Sequence, residues 1–284
     1  MKLKKIAVHL HIYYKEQISE ILTYLKNLRN TDHDIFVTIT KYDKKLMSQL
    51  YAFSPNIKVT MVENRGYDVG PFISFINSID LNNYEYVLKV HTKNKNNQSY
   101  TTLNGNRLDN KLWCKILWDS MLKDKQRVAD NLAIMDNNKN IGMLGSYYCY
   151  TDSPTDYKHL LKEINKELIK LKFLPLNKVP FIAGTMFLAR ANLLQPLKKY
   201  NINDFAITSS KVKDGTLAHV FERLFSAIII QQGYRLYPLK HDIFWLKLLT
   251  PTIKRFIYQK KITNSGKLII KVCKIPVYSR KEAI

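Results

Sequence analysis

The chain has 284 residues, of which 46% are hydrophobic, so it can bury the core of one elaborated α/β domain or of two small domains. Lysine and arginine number 45 against 23 aspartate and glutamate residues, a formal net charge of +22. That surplus predicts anionic partners: a nucleic acid, a membrane surface or a phosphorylated ligand. The three cysteines form no Cys-x-x-Cys pair, which argues against a disulfide framework and a zinc site.

The first half of the chain alternates predicted strands with predicted helices. Apolar runs indicate strands at residues 5–13, 34–40, 57–62 and 86–93, and helical spacing indicates helices at 18–28, 44–52 and from Val69 onward. His9 and His11 interrupt the first apolar run, so we interpret it as a strand rather than a signal peptide. Strand-helix repeats of this length favour a parallel sheet with right-handed crossovers.

The second half predicts further elements after one long loop. The polar stretch 94–110 has no periodicity and is predicted to be a loop over the sheet edge, a type of segment that is often functional. Predicted helices follow at 112–122, 128–135, 160–171 and 216–232, and predicted strands at 141–148, 181–189 and 234–239.

The stretch 62–93 is the strongest candidate for a site. Gly66 and Gly70 allow backbone geometries that other residues resist, and Pro71 suits the first turn of a helix. Strand, turn, helix and strand form a βαβ unit, which places polar ligands beyond the carboxyl ends of its strands. The charged clusters before Pro71 and at the end of the stretch both fall there. In the alternative interpretation, the glycines only form a turn and the lysines are solvated.

Four sequence blocks occur in order along the chain. They are Asn64-Arg65-Gly66-x-Asp68-Val69-Gly70-Pro71-Phe72, Lys89-x-His91-Thr92-Lys93, Ala183-Gly184-Thr185-Met186-Phe187 with Arg190, and Asp214-Gly215-Thr216-x-Ala218-His219-x-x-Glu222-Arg223. Together they resemble the rhamnan synthesis protein F family of bacterial polysaccharide glycosyltransferases.

The resemblance implies an α/β, GT-A-like (Rossmann-like) fold, with a mostly parallel sheet flanked by helices over residues 1–240 and a basic amphipathic extension at 241–284. It implies an inverting enzyme that moves rhamnose or a similar sugar from a dTDP- or UDP-sugar onto a surface polysaccharide such as a capsule or O-antigen. The donor-binding residues that it suggests are Asn64, Arg65, Gly66, Asp68, Lys89, His91, Lys93, Gly184 and Thr185.

The sequence departs from ordinary GT-A enzymes at the metal site. Those enzymes usually carry an Asp-x-Asp after the fourth strand, where this chain has Lys89-x-His91-Thr92-Lys93. The literal Asp32-His33-Asp34 lies before the second strand, far from the expected position. A cation about 4 Å from a phosphate contributes roughly 4 kcal/mol at an effective dielectric of about 20, so two such contacts would replace a metal. We therefore expect a metal-independent enzyme without a cofactor, while Mg²⁺ or Mn²⁺ remains open.

The candidate base lies on the last long helix. Many inverting GT-A enzymes use an acidic residue at this place to deprotonate the acceptor hydroxyl, and Glu222 matches it. Alternatively, Glu222 is a surface residue paired with a cation such as Arg223. His219, one turn earlier, is a second candidate base or a residue that orients Glu222. Asp214 is either catalytic or the cap of this helix, and Asp68 likewise contacts the nucleotide or caps its own helix.

The carboxyl-terminal segment is basic. Residues 240–284 carry eleven lysines and arginines against Asp242 and Glu282, a net charge of +9. Apolar and aromatic residues such as Trp245 and Phe256 lie between the cations, a pattern typical of segments in the interface of an anionic bilayer. We expect a cytoplasmic protein attached peripherally to the inner face of the plasma membrane, where it would reach a lipid-linked glycan acceptor. Alternatively, this segment packs on the domain.

Three functional classes fit these observations. The leading hypothesis is an inverting glycosyltransferase with Glu222 as its base. The net charge also fits a nucleic-acid-binding protein, although the chain has no recognisable nucleic-acid motif and its basic residues are dispersed. The third is a non-catalytic nucleotide- or glycan-binding component of a polysaccharide assembly complex.

Overall fold

The computed structural model describes residues 4–95, 100–103, 106–208, 215–240, 258–262, 267–272 and 275–281. The chain divides into two units, Met1–His241 and Asp242–Ile284. In chain order the strands are β1 (Lys4–Ile12), β2 (His33–Ile39), β3 (Lys58–Met61), β4 (Tyr84–His91), β5 (Tyr100–Leu103), β6 (Asn106–Asp109), β7 (Ile141–Ser146), β8 (Tyr150–Thr151), β9 (Phe181–Ile182), β10 (Phe187–Arg190), β11 (Arg235–Leu239), β12 (Tyr258–Ile262), β13 (Lys267–Val272) and β14 (Ile275–Lys281). The α-helices are α1 (Ile18–Leu25), α2 (Lys44–Phe53), α3 (Val69–Ser78), α4 (Asn110–Leu122), α5 (Lys125–Asn137), α6 (Leu161–Lys170) and α7 (Leu217–Gln231).

The first unit is built on a seven-stranded sheet with the order β11-β7-β10-β4-β1-β2-β3. Strands β3, β2, β1 and β4 are parallel, β10 is antiparallel to both of its neighbours, and β11 is parallel to β7. The predicted α/β fold with a mostly parallel sheet flanked by helices is therefore confirmed. Because six of the strands point the same way, their carboxyl ends meet at one edge of the sheet.

The two central strands, β1 and β4, are covered on both faces. Residues 6–12 of β1 and 86–91 of β4 are buried, including their polar side chains. Strands that are buried on both faces are characteristic of parallel sheets between helices. On one face Phe72 of α3 contacts Phe187 of β10 and Phe225 of α7, with ring centroids 5.8 and 5.5 Å apart. This packing fixes α3 and α7 against the central strands.

Side chains in the loops start several of the helices. Asp43, Asp109 and Asp124 each accept a hydrogen bond from the backbone N–H three residues later, at the starts of α2, α4 and α5. Such a bond satisfies one of the N–H groups that a helix leaves without a partner. The cap of α7 is Thr216, whose hydroxyl lies 2.7 Å from Nδ1 of His219. Asp68 precedes α3, but its side chain makes no cap.

The segment predicted as a long loop after β4 contains a hairpin instead. Strands β5 and β6 pair antiparallel, with Tyr100 opposite Asp109 and Leu103 opposite Asn106. The sequence interpretation was wrong because it used only apolar periodicity, and this polar stretch has none. The dipeptide Asn104-Gly105 between the two strands was the available signal, since Asn-Gly favours two-residue hairpin turns.

The strand predicted at 181–189 is two strands. Phe181–Ile182 pairs with β8 in a separate two-stranded sheet, whereas Phe187–Arg190 joins the main sheet between β4 and β7. Between them Gly184 and Thr185 have φ of +85° and +54°, left-handed values that end an extended strand. The turn is needed because the chain passes from one sheet to the other at this point.

The second unit contains a three-stranded antiparallel sheet in the order β12-β13-β14. The segment predicted to bind a membrane otherwise lies outside the described residues. Among the residues that the structure describes, no helix is both long and apolar enough to cross a bilayer.

Candidate functional site

A cavity of about 420 Å³ opens at the sheet edge where β1 and β4 end. Its walls come from the ends of these two strands, from the turn before α3 and from Thr208. The lining residues are His11, Tyr13, Tyr14, Asn64, Tyr67, Asp68, His91, Thr92, Lys93, Asn94 and Thr208. The predicted donor-site residues Asn64, Asp68, His91 and Lys93 therefore lie together. The position agrees with the rule that α/β sheets bind ligands beyond the carboxyl ends of their strands.

A buried ion pair lies at the floor of the cavity. Lys89 of β4 has no exposed side-chain surface, and its Nζ donates to Asp68 Oδ2, to the Thr185 carbonyl at 3.0 Å and to the Thr185 hydroxyl at 3.1 Å. Its ammonium group also lies 5.3 Å from the ring centroid of Phe72. Lys89 does not line the cavity, which corrects the expectation that it faces the ligand there. All three ammonium hydrogens have partners within the protein, so Lys89 holds Asp68 in place.

The charge of Asp68 follows from its neighbours. Burial disfavours the carboxylate, but His91, Lys89 and Lys93 together hold the pKa of the Asp68 carboxyl well below its usual range. Burial lowers the pKa of the Lys89 ammonium, and Asp68 opposes that change. Asp68 is therefore an anion beside a lysine, and its Oδ2 also accepts a 2.5 Å hydrogen bond from the Thr185 hydroxyl.

Two histidines from neighbouring strands line the same wall. His11 and His91 are register partners of the parallel β1–β4 pair. His91 lies within hydrogen-bonding distance of two carbonyl oxygens, with Nδ1 2.9 Å from Thr92 and Nε2 3.0 Å from Gly184. Nδ1 of His11 lies 3.0 Å from the hydroxyl of Thr38 on β2. Burial lowers the pKa of His91 to about 4 and that of His11 to about 3.

The 184–185 turn connects the cavity to the candidate base. The Gly184 N–H donates to Glu222 Oε1 at 2.6 Å, while the Gly184 carbonyl faces His91. Arg223 donates to the other carboxylate oxygen of Glu222 at 2.8 Å. The Glu222 side chain is 20% exposed, so its carboxylate is fixed yet accessible. Glu222, Gly184 and Thr185 are not among the residues that line the cavity, and hydrogen bonds connect Gly184 and Thr185 to the lining residues His91 and Asp68.

The other two catalytic candidates are His219 and Asp214, and the structure describes only His219. His219 accompanies Thr216 in the capping box of α7, and its ring lies 5.5 Å from that of Tyr67, which lines the cavity. His219 thus supports the start of the helix. Asp214 lies outside the described residues, and the N-cap of α7 is Thr216.

The Asn64–Tyr67 turn is held by the segment that ends at Thr208. Asn64 accepts from the backbone of Thr208 at 2.8 Å, and Tyr67 donates its N–H to the Thr208 hydroxyl at 2.9 Å. Gly66 has φ of +63°, and a Cβ there would lie 2.8 Å from the ring of Phe205. Gly66 is therefore required by the turn. Tyr67 adopts φ of +56° despite its side chain, a strained conformation of the kind often found at functional sites.

Arg65 does not reach the cavity. Its Nε donates to Glu63 at 2.5 Å, and its Nη1 donates to the Phe205 carbonyl at 3.1 Å. The family resemblance made Arg65 a candidate donor ligand. In the structure this guanidinium group connects the Asn64–Tyr67 turn to the 205–208 segment.

Of the two lysines in the block Lys89-x-His91-Thr92-Lys93, Lys93 is the one that lines the cavity. It is half-buried, and its Nζ lies 4.0 Å from the ring centroid of Trp113 on α4. An ammonium group over an aromatic face is held by the ring quadrupole while it keeps its charge. Lys93 therefore presents a positive charge at the mouth of the site.

Sequence reasoning missed several lining residues. His11 and Tyr13 were treated only as part of the first strand, and Tyr14, Tyr67 and Thr208 were not considered. A signal for His11 and Tyr13 existed, because the first strand belongs to the predicted parallel sheet and the carboxyl ends of parallel strands meet at one edge. Thr208 had no such signal, since it comes from a segment without periodicity.

The described residues hold no group of three His, Cys, Asp or Glu side chains arranged to bind a metal ion. Asp68 and His91 are within 3.7 Å of each other, but Asp68 already carries the Lys89 ammonium.

Comparisons with known proteins give relatives of low identity. The protein WxcX of Xanthomonas campestris pv. campestris strain B100, which is described as uncharacterized, is 25% identical over 272 residues, and its counterpart in strain ATCC 33913 matches equally. These matches cover 90% of this chain but 35% of the relatives. The chain therefore spans about a third of the length of the curated proteins that it matches.

Among solved structures, three matches cover most of the chain. The mannosyltransferase PcManGT from Pyrobaculum calidifontis, in complex with GDP-Man and Mn²⁺, matches at 13% identity over 84% of this chain and 55% of its own, with a TM-score of 0.44. Residues 1–349 of S. aureus TarS match at 11% identity over 89% of this chain and 65% of the matched chain, with a TM-score of 0.43. The galactosyltransferase LgtC, in complex with donor and acceptor sugar analogs, matches at 8% identity over 81% of this chain and 72% of the matched chain, with a TM-score of 0.42.

The family comparison covers the whole of the sheet except the last strand. The profile described as Rhamnan synthesis protein F matches residues 1–234, and this range contains every residue of the cavity and of the four sequence blocks. The chain belongs to the rhamnan synthesis protein F family.

Proposed function

We propose that this chain is a glycosyltransferase domain that moves a sugar from a nucleotide-sugar donor onto a bacterial surface polysaccharide. The observation that carries the proposal is the convergence of separate family blocks on one cavity at the carboxyl edge of the sheet. Asn64, Asp68, His91 and Lys93 line this cavity in a chain whose residues 1–234 match the family. A site of this size and position suits a nucleotide with its sugar.

The donor diphosphate would lie against the positive side of the cavity. Lys93 supplies a fixed charge at the mouth, and the Asn64 amide and the Thr208 hydroxyl supply neutral hydrogen-bonding groups. The tyrosines of the lining offer flat faces for the nucleotide base. In line with the family, the donor is a dTDP- or UDP-sugar, and rhamnose or a similar sugar is transferred. Such a chain would serve the synthesis of a capsule or O-antigen.

Glu222 is the base of an inverting reaction in this proposal. Its carboxylate accepts the proton of the acceptor hydroxyl as that oxygen bonds to the anomeric carbon from the face opposite the diphosphate. The bond to the diphosphate breaks with its electron pair, so the nucleoside diphosphate leaves as an anion. The Gly184 N–H and Arg223 hold both carboxylate oxygens of Glu222 in place, and each oxygen keeps a lone pair for the hydroxyl. His219 supports the same helix start.

We also propose that the enzyme needs no metal ion. In this hypothesis Lys93, from the block that replaces Asp-x-Asp, neutralises the leaving group. The Asp68 carboxylate is the acidic group of the cavity, and it is already paired with Lys89. A chelator experiment tests this proposal directly, because Mg²⁺ or Mn²⁺ would otherwise restore donor binding.

A thermal-shift panel tests the donor site. We expect a dTDP- or UDP-sugar at 100 times its dissociation constant to stabilise the protein by about 2.7 kcal/mol, with or without EDTA. Lys93→Ala should weaken this binding because it removes the fixed charge at the mouth. Lys162→Ala, which removes an exposed lysine of α6, should leave it unchanged.

The same panel separates the competing functions. If dTDP-rhamnose, UDP-glucose, UDP-N-acetylglucosamine and GDP-mannose all fail to bind, the proposal is wrong. Tight, salt-sensitive binding of DNA or RNA in that case would favour the nucleic-acid alternative. Donor binding without sugar transfer or donor hydrolysis would instead assign the chain to a non-catalytic component of an assembly complex.

A further inference from the structure

His91 is surrounded by hydrogen-bond acceptors. Its Nδ1 lies 2.9 Å from the Thr92 carbonyl, and its Nε2 lies 3.0 Å from the Gly184 carbonyl. A neutral imidazole has one N–H and one bare lone pair, so it can satisfy only one of these two oxygens. The lone pair of the other nitrogen then faces a carbonyl oxygen and repels it. Only an imidazolium, which carries two N–H groups, satisfies both.

The remaining neighbours of Nε2 do not relieve this mismatch. The Thr185 hydroxyl lies 3.2 Å from Nε2, but its hydrogen is used in the 2.5 Å bond to Asp68. Thr185 therefore offers His91 only an acceptor. Asp68 Oδ2, at 3.7 Å, is an acceptor as well. Every hydrogen-bonding neighbour of His91 that the structure describes is thus an acceptor and favours the protonated ring, whereas the charges of Lys89 and Lys93 oppose protonation.

The charges around the ring come from three elements. Asp68 at the start of α3 is negative, Lys89 and Lys93 of β4 are positive, and His11 of β1 is neutral near pH 7 because burial lowers its pKa to about 3. Burial also lowers the pKa of His91 to about 4, although Asp68 acts in the opposite direction. In the free protein His91 is therefore neutral, and the site carries one net positive charge. A sugar nucleotide carries two negative charges on its diphosphate, so the free site is one charge short.

We infer that binding of the donor diphosphate draws one proton from solvent onto His91, which then supplies the second positive charge of the site. The inference rests on the proposed function, because it takes the diphosphate as the occupant of this cavity. The proton enters from water through the open mouth and forms the missing N–H. It returns to water when the nucleoside diphosphate leaves, so the reaction consumes no net proton at this residue.

The two negative charges of the diphosphate are enough to protonate His91 at pH 7. His91 must gain about three pKa units to be half-protonated at pH 7, since its free value is about 4. An opposite charge within about 4–6 Å shifts a pKa by roughly 1–3 units, and the diphosphate brings two such charges. The hydrogen bond to the Gly184 carbonyl raises the pKa of His91 already in the free protein, so it is part of the value of about 4.

Isothermal titration calorimetry tests the inference on the full chain. Binding of dTDP-rhamnose, or of the sugar nucleotide that binds best, is measured at pH 7 in phosphate and in Tris, whose ionisation enthalpies differ widely. These ligands are diphosphate diesters without a group that titrates near neutrality, so any proton exchanged belongs to the protein. We expect uptake of between half a proton and one proton per ligand. Affinity should fall up to tenfold per pH unit as the pH rises above the pKa of the bound ring.

Variants assign the proton to its residue. His91→Gln keeps an amide donor but cannot titrate, so uptake should vanish while weaker binding persists. His11→Gln, which removes the neighbouring ring on β1, should leave the uptake in place. Binding of a sugar nucleotide to the wild type without proton uptake overturns the inference even if His91→Gln does not fold, and uptake that persists in His91→Gln overturns it too. Absence of all binding would count against the proposed function instead.

Discussion

At the scale of single residues, the site depends on pairs that the fold brings together from distant parts of the chain. Lys89 and Asp68 are 21 positions apart, and both meet Thr185, which is 96 positions from Lys89. Removing one partner of a buried ion pair leaves an uncompensated charge and costs roughly 3–5 kcal/mol. The pair therefore serves orientation: it fixes Asp68 and the 184–185 turn, which in turn holds Glu222.

Glu222→Gln is the residue-level test of catalysis. The glutamine side chain keeps the size of the carboxylate but cannot take a proton from the acceptor hydroxyl. Turnover should fall by roughly 10²-fold or more, the usual contribution of a positioned base, while the dissociation constant of the donor changes little. Both are measured on purified protein by product formation and calorimetry. Glu163→Gln, which changes an exposed residue of α6, is the matched control. Full activity of Glu222→Gln would shift attention to His219.

The buried histidines predict how stability depends on pH. Burial lowers the pKa of His9, His11 and His91 from 6.5, to about 3 for His11 and about 4 for His91. The unfolded chain therefore binds more protons than the folded one below pH 6.5, and stability rises with pH in that range. The stabilisation is complete above pH 6.5 and is lost as the pH falls towards 4. The three residues together give a slope of up to about 4 kcal/mol per pH unit.

Urea denaturation between pH 7 and pH 4.5 measures this slope. His9 is the residue to change, because its ring already packs against Phe75 at 4.8 Å and Phe72 at 5.4 Å. His9→Phe should reduce the slope by about a third, since it removes one of three titrating rings. Equal free energies of unfolding at pH 7 and pH 5 would contradict the prediction.

At the scale of elements, the turn that enters α3 leaves no room for a side chain. A Cβ on Gly70 would overlap the carbonyl oxygen of Arg65, a backbone atom that cannot rotate away. Gly70 therefore lets the first turn of α3 close against the segment that carries Asn64 and Tyr67. This contact couples the start of the helix to the lining of the cavity.

Gly70→Ala should destabilise the protein by about 1–3 kcal/mol and weaken donor binding, because Arg65 and the turn must shift. Gly233→Ala is the control, since a Cβ there meets nothing within 4 Å and its φ of +83° costs about 1–2 kcal/mol from the backbone alone. Urea denaturation and nucleotide calorimetry measure both. A Gly70→Ala protein with wild-type donor affinity would show that the turn does not depend on this contact.

The predicted elements succeeded where the apolar pattern was strong and failed where it was absent or continued across a turn. The helices at 69–78, 110–122 and 217–231 follow apolar residues at helical spacing, and the structure confirms them within a few positions. The hairpin β5–β6 has no apolar periodicity, so an interpretation based on periodicity alone missed it. The break at Gly184 and Thr185 lies inside a continuous apolar run, and only pairing with β8 and β4 shows why the chain must turn there.

At the scale of the whole molecule, the candidate site residues of the first unit lie at one edge of the sheet. The carboxyl-terminal residues of the chain are basic. Residues 240–284 have a net charge of +9, and the part of them that the structure describes forms a three-stranded sheet. We propose that this segment attaches the protein to the cytoplasmic face of the plasma membrane, near a lipid-linked acceptor. Each cation close to an anionic surface contributes about 1 kcal/mol of attraction.

Liposome flotation tests this attachment. The full chain should float with vesicles that contain phosphatidylserine at low salt, and should stay behind with neutral phosphatidylcholine vesicles or at high salt, where the attraction is screened. A chain that ends at Leu239 should not float with either. Circular dichroism and nucleotide binding of this shortened chain show whether its first unit is intact. If the full chain and the shortened one both stay at the bottom of the gradient, the membrane proposal is wrong.

The sequence by itself determined the class of fold, the order of most elements and the four blocks that belong to the family, because periodicity and turn residues are local properties of the chain. The tertiary structure alone decided which residues of those blocks face the cavity. Lys89 lies beneath it, Arg65 turns away from it, and His11 joins it. These outcomes depend on the register of β1 against β4 and on contacts with residues 184–185 and 205–208. Such contacts join positions far apart in sequence, and local patterns carry no information about them.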